Sequence, residues 1–211
     1  HVTTIITGVF VGLGALGVLS EVTLQTVPAF RLHTVEEPMR MDAILADLDA
    51  LIDGNDHFGL FWFPGSDVAL AKRSNRTDEP ERPREPRSAW INDVLVDNHL
   101  FGAACKVATR VPAVGRAIVA GASGKGRHEW IDRSDRVFCS PRMVRFVEME
   151  YGIPVEHLPG AVRRLRDFTS RLSIPVLFPV EVRVSAADDI SLSTGFGRTS
   201  GWIAVHQYRG A

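Results

Sequence analysis

The stretch Phe178-Pro-Val-Glu-Val-Arg-Val-Ser185 determines how the rest of this chain is interpreted. It is short and apolar at alternate positions, a pattern typical of a β-strand. Glu181 and Arg183 are two residues apart, so on a strand their side chains project from the same face, roughly 6–7 Å apart. The pattern predicts a strand that carries either part of a polar ligand site or an ion pair on a solvated face.

A second stretch of the same kind, Ser200-Gly-Trp-Ile-Ala-Val-His-Gln-Tyr208, lies near the end of the chain. His206 and Tyr208 share one face of this strand by the same spacing. We predict that residues 178–185 and 201–208 are adjacent antiparallel strands, with both polar pairs on one face. Such a patch on a rigid sheet is suited to a polyhydroxylated ligand.

Length, charge and cysteine content exclude several classes of protein. The 211 residues suffice for one large domain, and a net charge of −1 gives no indication of a nucleic-acid partner. The two cysteines, Cys105 and Cys139, stand in unrelated contexts, which argues against a disulfide scaffold or a metal site and indicates a reducing compartment. Neither a membrane span nor a signal peptide is visible, so we expect a cytoplasmic protein.

A glycine-rich stretch near the start, Gly12-Leu-Gly-Ala-Leu-Gly17, formally fits the dinucleotide fingerprint after an apolar strand at residues 2–11. That fingerprint requires a helix to follow, whereas residues 18–27 alternate with the period of a strand. We therefore predict strand, glycine turn and strand. The glycines allow the backbone to approach either a neighbouring strand or a bound cofactor closely.

The remaining elements are predicted from hydrophobic periodicity. Strands are expected at residues 30–36, 58–63, 68–72, 136–139 and 143–151, helices at 41–52, 90–107, 111–120 and 155–172, and an exposed loop at 74–87. We expect residues 143–151 to form a central strand with one polar side. Because strands and helices do not alternate strictly, we predict an α+β fold, an antiparallel sheet with helices packed on one face.

Several of these segments together resemble a known family of flavoenzymes. The stretch Leu13-Gly-Ala-Leu-Gly-Val-Leu-Ser-Glu-Val-Thr-Leu-Gln-Thr-Val-Pro-Ala-Phe30 resembles the end of the FAD domain in the vanillyl-alcohol-oxidase superfamily. The segments 58–64, 149–154, 178–184, 187–189 and 204–208 resemble, in the same order, the aldonolactone oxidase group, which includes L-gulonolactone oxidase, D-arabinonolactone oxidase and alditol oxidase. Within that group the chain is most similar to actinobacterial L-gulono-1,4-lactone oxidases and dehydrogenases.

The resemblance implies a domain organisation and a reaction. Residues 1–28 would be the C-terminal strip of an FAD-binding domain, and residues 29–211 a substrate-binding domain truncated at its C-terminus. The enzyme would oxidise the CH–OH group of a sugar lactone or polyol, with hydride passing to N5 of FAD and electrons to oxygen, a cytochrome or a quinone. Members of the group are often associated with membranes, although this stretch encodes no anchor.

The resemblance also assigns roles to residues. Gly17 and Val18 would lie against the flavin through their backbone groups. Glu181, Arg183 and His206 fall on the substrate-site positions, and Tyr208 replaces a threonine of alditol oxidase, which favours a lactone as substrate. No metal is implied.

The residue types suit this chemistry. A fixed guanidinium at Arg183 would stabilise oxyanion character on the substrate. Glu181 would accept hydrogen bonds from substrate hydroxyls and hold Arg183, and His206 would take the hydroxyl proton. The alternative is a non-catalytic homologue that binds a sugar acid or a partner protein.

Both ends of the chain suggest a fragment of a longer protein, because it opens with His1-Val-Thr-Thr-Ile-Ile-Thr7, typical of the inside of a strand. By resemblance, the flavin-attaching histidine and the phosphate-binding loop would precede His1, and a His-Trp-Gly-Lys segment whose lysine reaches the substrate would follow Ala211. We therefore expect the 211 residues alone to be inactive and to bind FAD weakly or not at all.

Overall fold

Seven antiparallel strands form one sheet in the order β4-β1-β3-β2-β6-β7-β5. The computed structural model describes residues 14–15, 17–85, 99–111, 113–115, 126–139, 143–172 and 176–209. The strands are β1 Arg31–Arg40, β2 His57–Trp62, β3 Val68–Thr77, β4 His128–Arg133, β5 Phe146–Pro154, β6 Val180–Ser185 and β7 Ser200–Tyr208. The predicted α+β class with an antiparallel sheet is confirmed.

The α-helices in the described part of the chain include α1 Met41–Ala46, α2 Leu48–Asp53, α3 Phe101–Ala108, α4 Ser134–Phe138 and α5 Leu158–Thr169. A short 3-10 turn, Val155–His157, leads into α5. Helices α1, α2 and α5 bury their apolar sides against one face of the sheet. Within the described residues, none of the helices has the length and apolar character that crossing a membrane requires.

The main core lies between this helix layer and the sheet. Leu60 and Trp62 of β2 and Val180 and Val182 of β6 alternate with residues on the other face, as the period of a strand requires. All four are at most 3% exposed, and each buried apolar side chain of this size contributes about 1.5–3 kcal/mol. This core fixes which face of β6 and β7 remains uncovered by α1, α2 and α5.

Two glycines give opposite predictions for this layer. A Cβ built on Gly201 of β7 would lie 2.8–3.1 Å from atoms of Leu158 in α5, whereas one on Gly160 in the same helix would meet no atom within 4 Å. We expect Gly201→Ala to lower the free energy of unfolding by about 1–3 kcal/mol through overpacking. We expect Gly160→Ala to raise it by about 0.5–1 kcal/mol. Denaturant unfolding of the two variants tests the pair, and a change of the same sign in both would contradict it.

Three predicted elements differ in extent or position. Strand β3 continues to Thr77, into the expected loop at 74–87, because it pairs with β1 over its whole length. The helix expected at 41–52 is interrupted at Asp47 into α1 and α2. Strand β5, expected to be central, lies at one end of the described strand order.

The strand predicted at 136–139 was wrong, because α4 occupies Ser134–Phe138. A run of four residues does not distinguish the two periods. Asp135 in the first turn and Arg136 in the last turn both favour a helix, because their charges complement its dipole. Strand β4, which precedes α4, was not predicted at all.

The second strand of the predicted glycine turn is also absent, since residues 17–30 belong to no helix or strand. Val22 and Leu24, which carry the alternation, are 51% and 77% exposed. Among the described residues no strand pairs with this segment, and the period alone does not supply a partner. The strand predicted at 2–11 lies outside the described residues, as do most of the helices predicted at 90–107 and 111–120.

Candidate functional site

Strands β6 and β7 pair antiparallel, as predicted, with Glu181 opposite Ala204 and Arg183 opposite Trp202. Opposed residues of an antiparallel pair project from the same face. Glu181 and Arg183 therefore share their face with the even-numbered residues of β7, including His206 and Tyr208. This is the face opposite to the one that α1, α2 and α5 cover.

Arg183 lies between two carboxylates. Its Nη2 donates a hydrogen bond to Oε1 of Glu150 on β5, and its Nε lies 3.7 Å from Oε1 of Glu181. Burial, the largest single influence, lowers the pKa of Arg183, but the hydrogen bond to Glu150 and the negative charges of Glu181, Glu150 and Glu148 outweigh it and raise the pKa. The guanidinium is therefore a permanent positive charge, with half of the side chain exposed.

His206 is buried and held by its surroundings. Its Nδ1 lies 3.0 Å from the carbonyl oxygen of Pro179, which only accepts, so Nδ1 carries the hydrogen of that bond. Phe146 meets the ring edge-on at 4.9 Å, and Nε2 lies 3.3 Å from Oε1 of Glu148. In the neutral ring the lone pair is then on Nε2, the nitrogen that faces the carboxylate of Glu148.

Tyr208 shares the face but not the neighbourhood of Arg183. It is six residues along β7 from Trp202, the residue opposite Arg183, a distance of roughly 20 Å on a strand. It packs against a second apolar cluster that includes Leu177 and Phe178. In the register Glu181 lies between Arg183 and His206, and Tyr208 lies beyond His206, at the end of the row farthest from Arg183.

Sequence reasoning missed two carboxylates, Glu148 and Glu150. Both project from β5 on the same face as His206, because β5 pairs with β7 with Glu148 opposite His206 and Glu150 opposite Ala204. The spacing that singled out Glu181 and Arg183 also applies to them, but nothing in the sequence indicated that β5 lies beside β7. We call Glu148, Glu150, Glu181, Arg183 and His206 the acid–arginine cluster.

The residues predicted to contact a flavin lie in the segment before β1. Gly17 has a φ of +135°, which favours glycine, and a Cβ there would meet no atom within 4 Å. Val18 is 96% exposed. The backbone here is open to close approach, as a cofactor contact requires. No helix begins between Gly17 and β1, so this segment offers no helix N-terminus for a pyrophosphate.

A pocket lies elsewhere on the molecule, at the ends of β1 and β3. It is lined by Ala29, Phe30, Arg31, Arg76, Thr77 and Asp78 and includes no member of the acid–arginine cluster. Among the described residues no three His, Cys, Asp or Glu side chains are arranged to hold a metal ion. The acid–arginine cluster is therefore the candidate site, on the face of the sheet that α1, α2 and α5 leave open, with the buried His206 at one end.

Known proteins are similar to this chain either in sequence or in fold. L-gulono-1,4-lactone dehydrogenase of Mycobacterium tuberculosis is 42% identical over 201 residues, which are 95% of this chain and 47% of that protein. L-gulonolactone oxidase of Scyliorhinus torazame is 29% identical over 201 residues, 93% of this chain and 45% of that protein. The chain thus spans about half the length of these relatives.

The crystal structure of cholesterol oxidase from B. sterolicum has a similar fold, with a TM-score of 0.63 over 89% of this chain and 44% of that one at 14% identity. The family profile described as D-arabinono-1,4-lactone oxidase matches residues 22–211. Because the match includes the whole sheet and the whole acid–arginine cluster, the chain belongs to the D-arabinono-1,4-lactone oxidase family.

Proposed function

We propose that this chain is the substrate-binding part of a flavin-dependent oxidoreductase that oxidises a CH–OH group of a sugar lactone, of the L-gulono-1,4-lactone or D-arabinono-1,4-lactone type. The observation that carries the proposal is the arrangement of Arg183 between Glu181 and Glu150, beside a buried His206, in a member of this family. The names of the relatives support the substrate class.

The domain division follows the same proposal. Residues 1–28 would belong to an FAD-binding domain and residues 29–211 to the substrate domain. Gly17 and Val18, whose backbone is open, would contact the flavin, and a bound flavin would supply the hydride acceptor. The enzyme would act in the cytoplasm or at the periphery of a membrane and pass electrons to oxygen, a cytochrome or a quinone.

The residues of the cluster have complementary roles in this reaction. Oxidation of an alcohol removes a hydride from carbon and a proton from oxygen. Nε2 of His206 takes the proton, and the carboxylate of Glu148 stabilises the imidazolium. Glu181 accepts hydrogen bonds from substrate hydroxyls, and Arg183 stabilises negative charge on the reacting oxygen.

Charge favours a neutral lactone over the corresponding open-chain sugar acid. The acid–arginine cluster has three carboxylates against one guanidinium and one imidazole. A second anion would meet like charges there, which penalises the binding of an aldonate. The cluster therefore gives no support to a non-catalytic sugar-acid-binding protein.

The test uses the full-length protein. We expect its purified form to show flavin absorbance and to oxidise L-gulono-1,4-lactone or D-arabinono-1,4-lactone with oxygen or an artificial acceptor, and xylitol more slowly. Galactonolactone and the sodium salts of the aldonic acids serve as comparison substrates. A flavin-free protein that oxidises none of them would overturn the proposal, and the binding of a sugar acid by that protein would establish the non-catalytic alternative.

A further inference from the structure

A row of three residues crosses three strands of the candidate site. Glu181 on β6, Ala204 on β7 and Glu150 on β5 lie opposite one another in register. Ala204 is 1% exposed although its face is not covered by the helix layer. Its methyl group is small enough for a long side chain to pass over. Arg183, two residues along β6 from Glu181, reaches across β7 to the carboxylate of Glu150.

In the neighbouring row of the sheet, Arg183 on β6, Trp202 on β7 and Gly152 on β5 lie opposite one another, and Trp202 limits where the guanidinium can lie. Trp202, opposite Arg183, is fixed by a hydrogen bond of 2.8 Å from its Nε1 to Oγ of Ser185. Its ring lies over Gly152 of β5, where a Cβ would come within 3.0 Å of it. On β7, Arg183 therefore has the large, fixed indole of Trp202 on one side and the small side chain of Ala204 on the other. The small side chain of Ala204 leaves room for the guanidinium to reach Glu150.

Two carboxylates hold a guanidinium in a way that one does not. Glu181 alone, 3.7 Å from Nε, attracts the charge but leaves the planar group free to rotate. The hydrogen bond from Nη2 to Glu150 fixes the direction of the far end. Within the described part of the chain, neither N–H of Nη1 has a hydrogen-bond partner, so this nitrogen offers two donors to a ligand.

We propose that Glu150 is a positioning residue that holds Arg183 across β7 over Ala204 and thereby directs Nη1 at the substrate oxygen. The proposal rests on the proposed function insofar as Arg183 acts on a lactone. It adds a residue that contacts no substrate and acts only through Arg183. It also assigns Ala204 a role, because a larger side chain there would block the path of the guanidinium.

Kinetics of the full-length protein test this role. We expect Glu150→Gln, which keeps the shape and an acceptor oxygen but removes the negative charge, to lower kcat about tenfold, the effect of weakening one charge-assisted hydrogen bond. KM should change less than kcat. Glu150→Asp, whose carboxylate is one methylene shorter, should retain part of the activity. Glu156→Gln, at an exposed acid of the 3-10 turn, is the matched control and should leave kcat unchanged.

A double-mutant cycle distinguishes positioning from an independent role. In an Arg183→Ala background, Glu150→Gln should change kcat less than twofold, because the group it positions is gone. Ala204→Leu, which removes no charge, should reproduce the loss of kcat when the variant is assayed well below its own melting temperature. An equal loss from Glu150→Gln in both backgrounds, or wild-type kcat in Ala204→Leu, would overturn the proposal.

A structural readout keeps this test separate from that of the proposed function. If the wild-type protein oxidises no lactone, the proposed function fails while the positioning role is still measurable. Crystal structures of the full-length protein and of Glu150→Gln would then be compared. A guanidinium that leaves its place over Ala204 supports the role of Glu150, and one that stays in place refutes it.

Discussion

Arg183→Lys is expected to lower kcat of the full-length enzyme about 100-fold, or about 2.7 kcal/mol, the usual effect of removing one donor that acts on charge in the transition state. Lysine keeps the positive charge but loses the planar fork, so it cannot hold two partners at fixed angles. Arg183 meets Glu150 through Nη2 and approaches Glu181 through Nε. An ammonium group would pair with one of these carboxylates at a time.

Under the proposed function the guanidinium acts mainly on charge that develops as the substrate is oxidised, so the effect should fall on kcat rather than on KM. Steady-state kinetics beside a thermal melt measure both aspects. Arg163→Lys, at an exposed position of α5, is the matched control for the loss of a guanidinium. An unchanged kcat with a lowered melting temperature would mean that Arg183 only supports the sheet.

The faces of β6 and β7 could be predicted from the sequence because the period of a strand is local information. Val180 and Val182 mark the covered face, so Glu181 and Arg183 had to be on the other. Their pairing with His206 followed once the two strands were taken as neighbours. The roles of Glu181, Arg183, His206 and Tyr208 in substrate binding stay predictions.

The partners of Arg183 and His206 on β5 could not be predicted in the same way, because strand order is set by contacts between distant parts of the chain. Glu150 lies 33 residues from Arg183 in sequence. It reaches Arg183 only because β7 takes its place between β5 and β6. Its strand was expected at the centre of the sheet, and in that place the two acids would have had other neighbours.

Short or isolated apolar patterns were the other source of error. Residues 136–139 have too few positions to separate a strand from a helix, and the charges of Asp135 and Arg136 favour the helix α4. Residues 18–27 have a clear alternation, yet a strand also needs a partner for its backbone groups. Within the described residues this segment has none, so the period by itself overstated the structure.

Leu158→Ala is expected to reduce the free energy of unfolding by about 2–5 kcal/mol, the range for removing a fully buried leucine side chain. Leu158 is 0% exposed at the start of α5, and its atoms fill the space above Gly201 on β7. Because glycine offers no side chain to close the gap, the cavity would persist, and the upper part of the range applies. The same contact seats α5 on the strand that carries His206.

Urea denaturation of the full-length protein, followed by circular dichroism and by the fluorescence of its tryptophans, measures this loss. Leu192→Ala is the control, since Leu192 is 53% exposed and its truncation should change the free energy of unfolding by less than about 0.5 kcal/mol. If α5 merely covers the sheet without filling it, the two variants would unfold at the same denaturant concentration. A urea midpoint clearly lower for Leu158→Ala alone would show that the contact between Leu158 and Gly201 anchors α5 on the sheet. The same contact would then stabilise β7, the strand that carries His206.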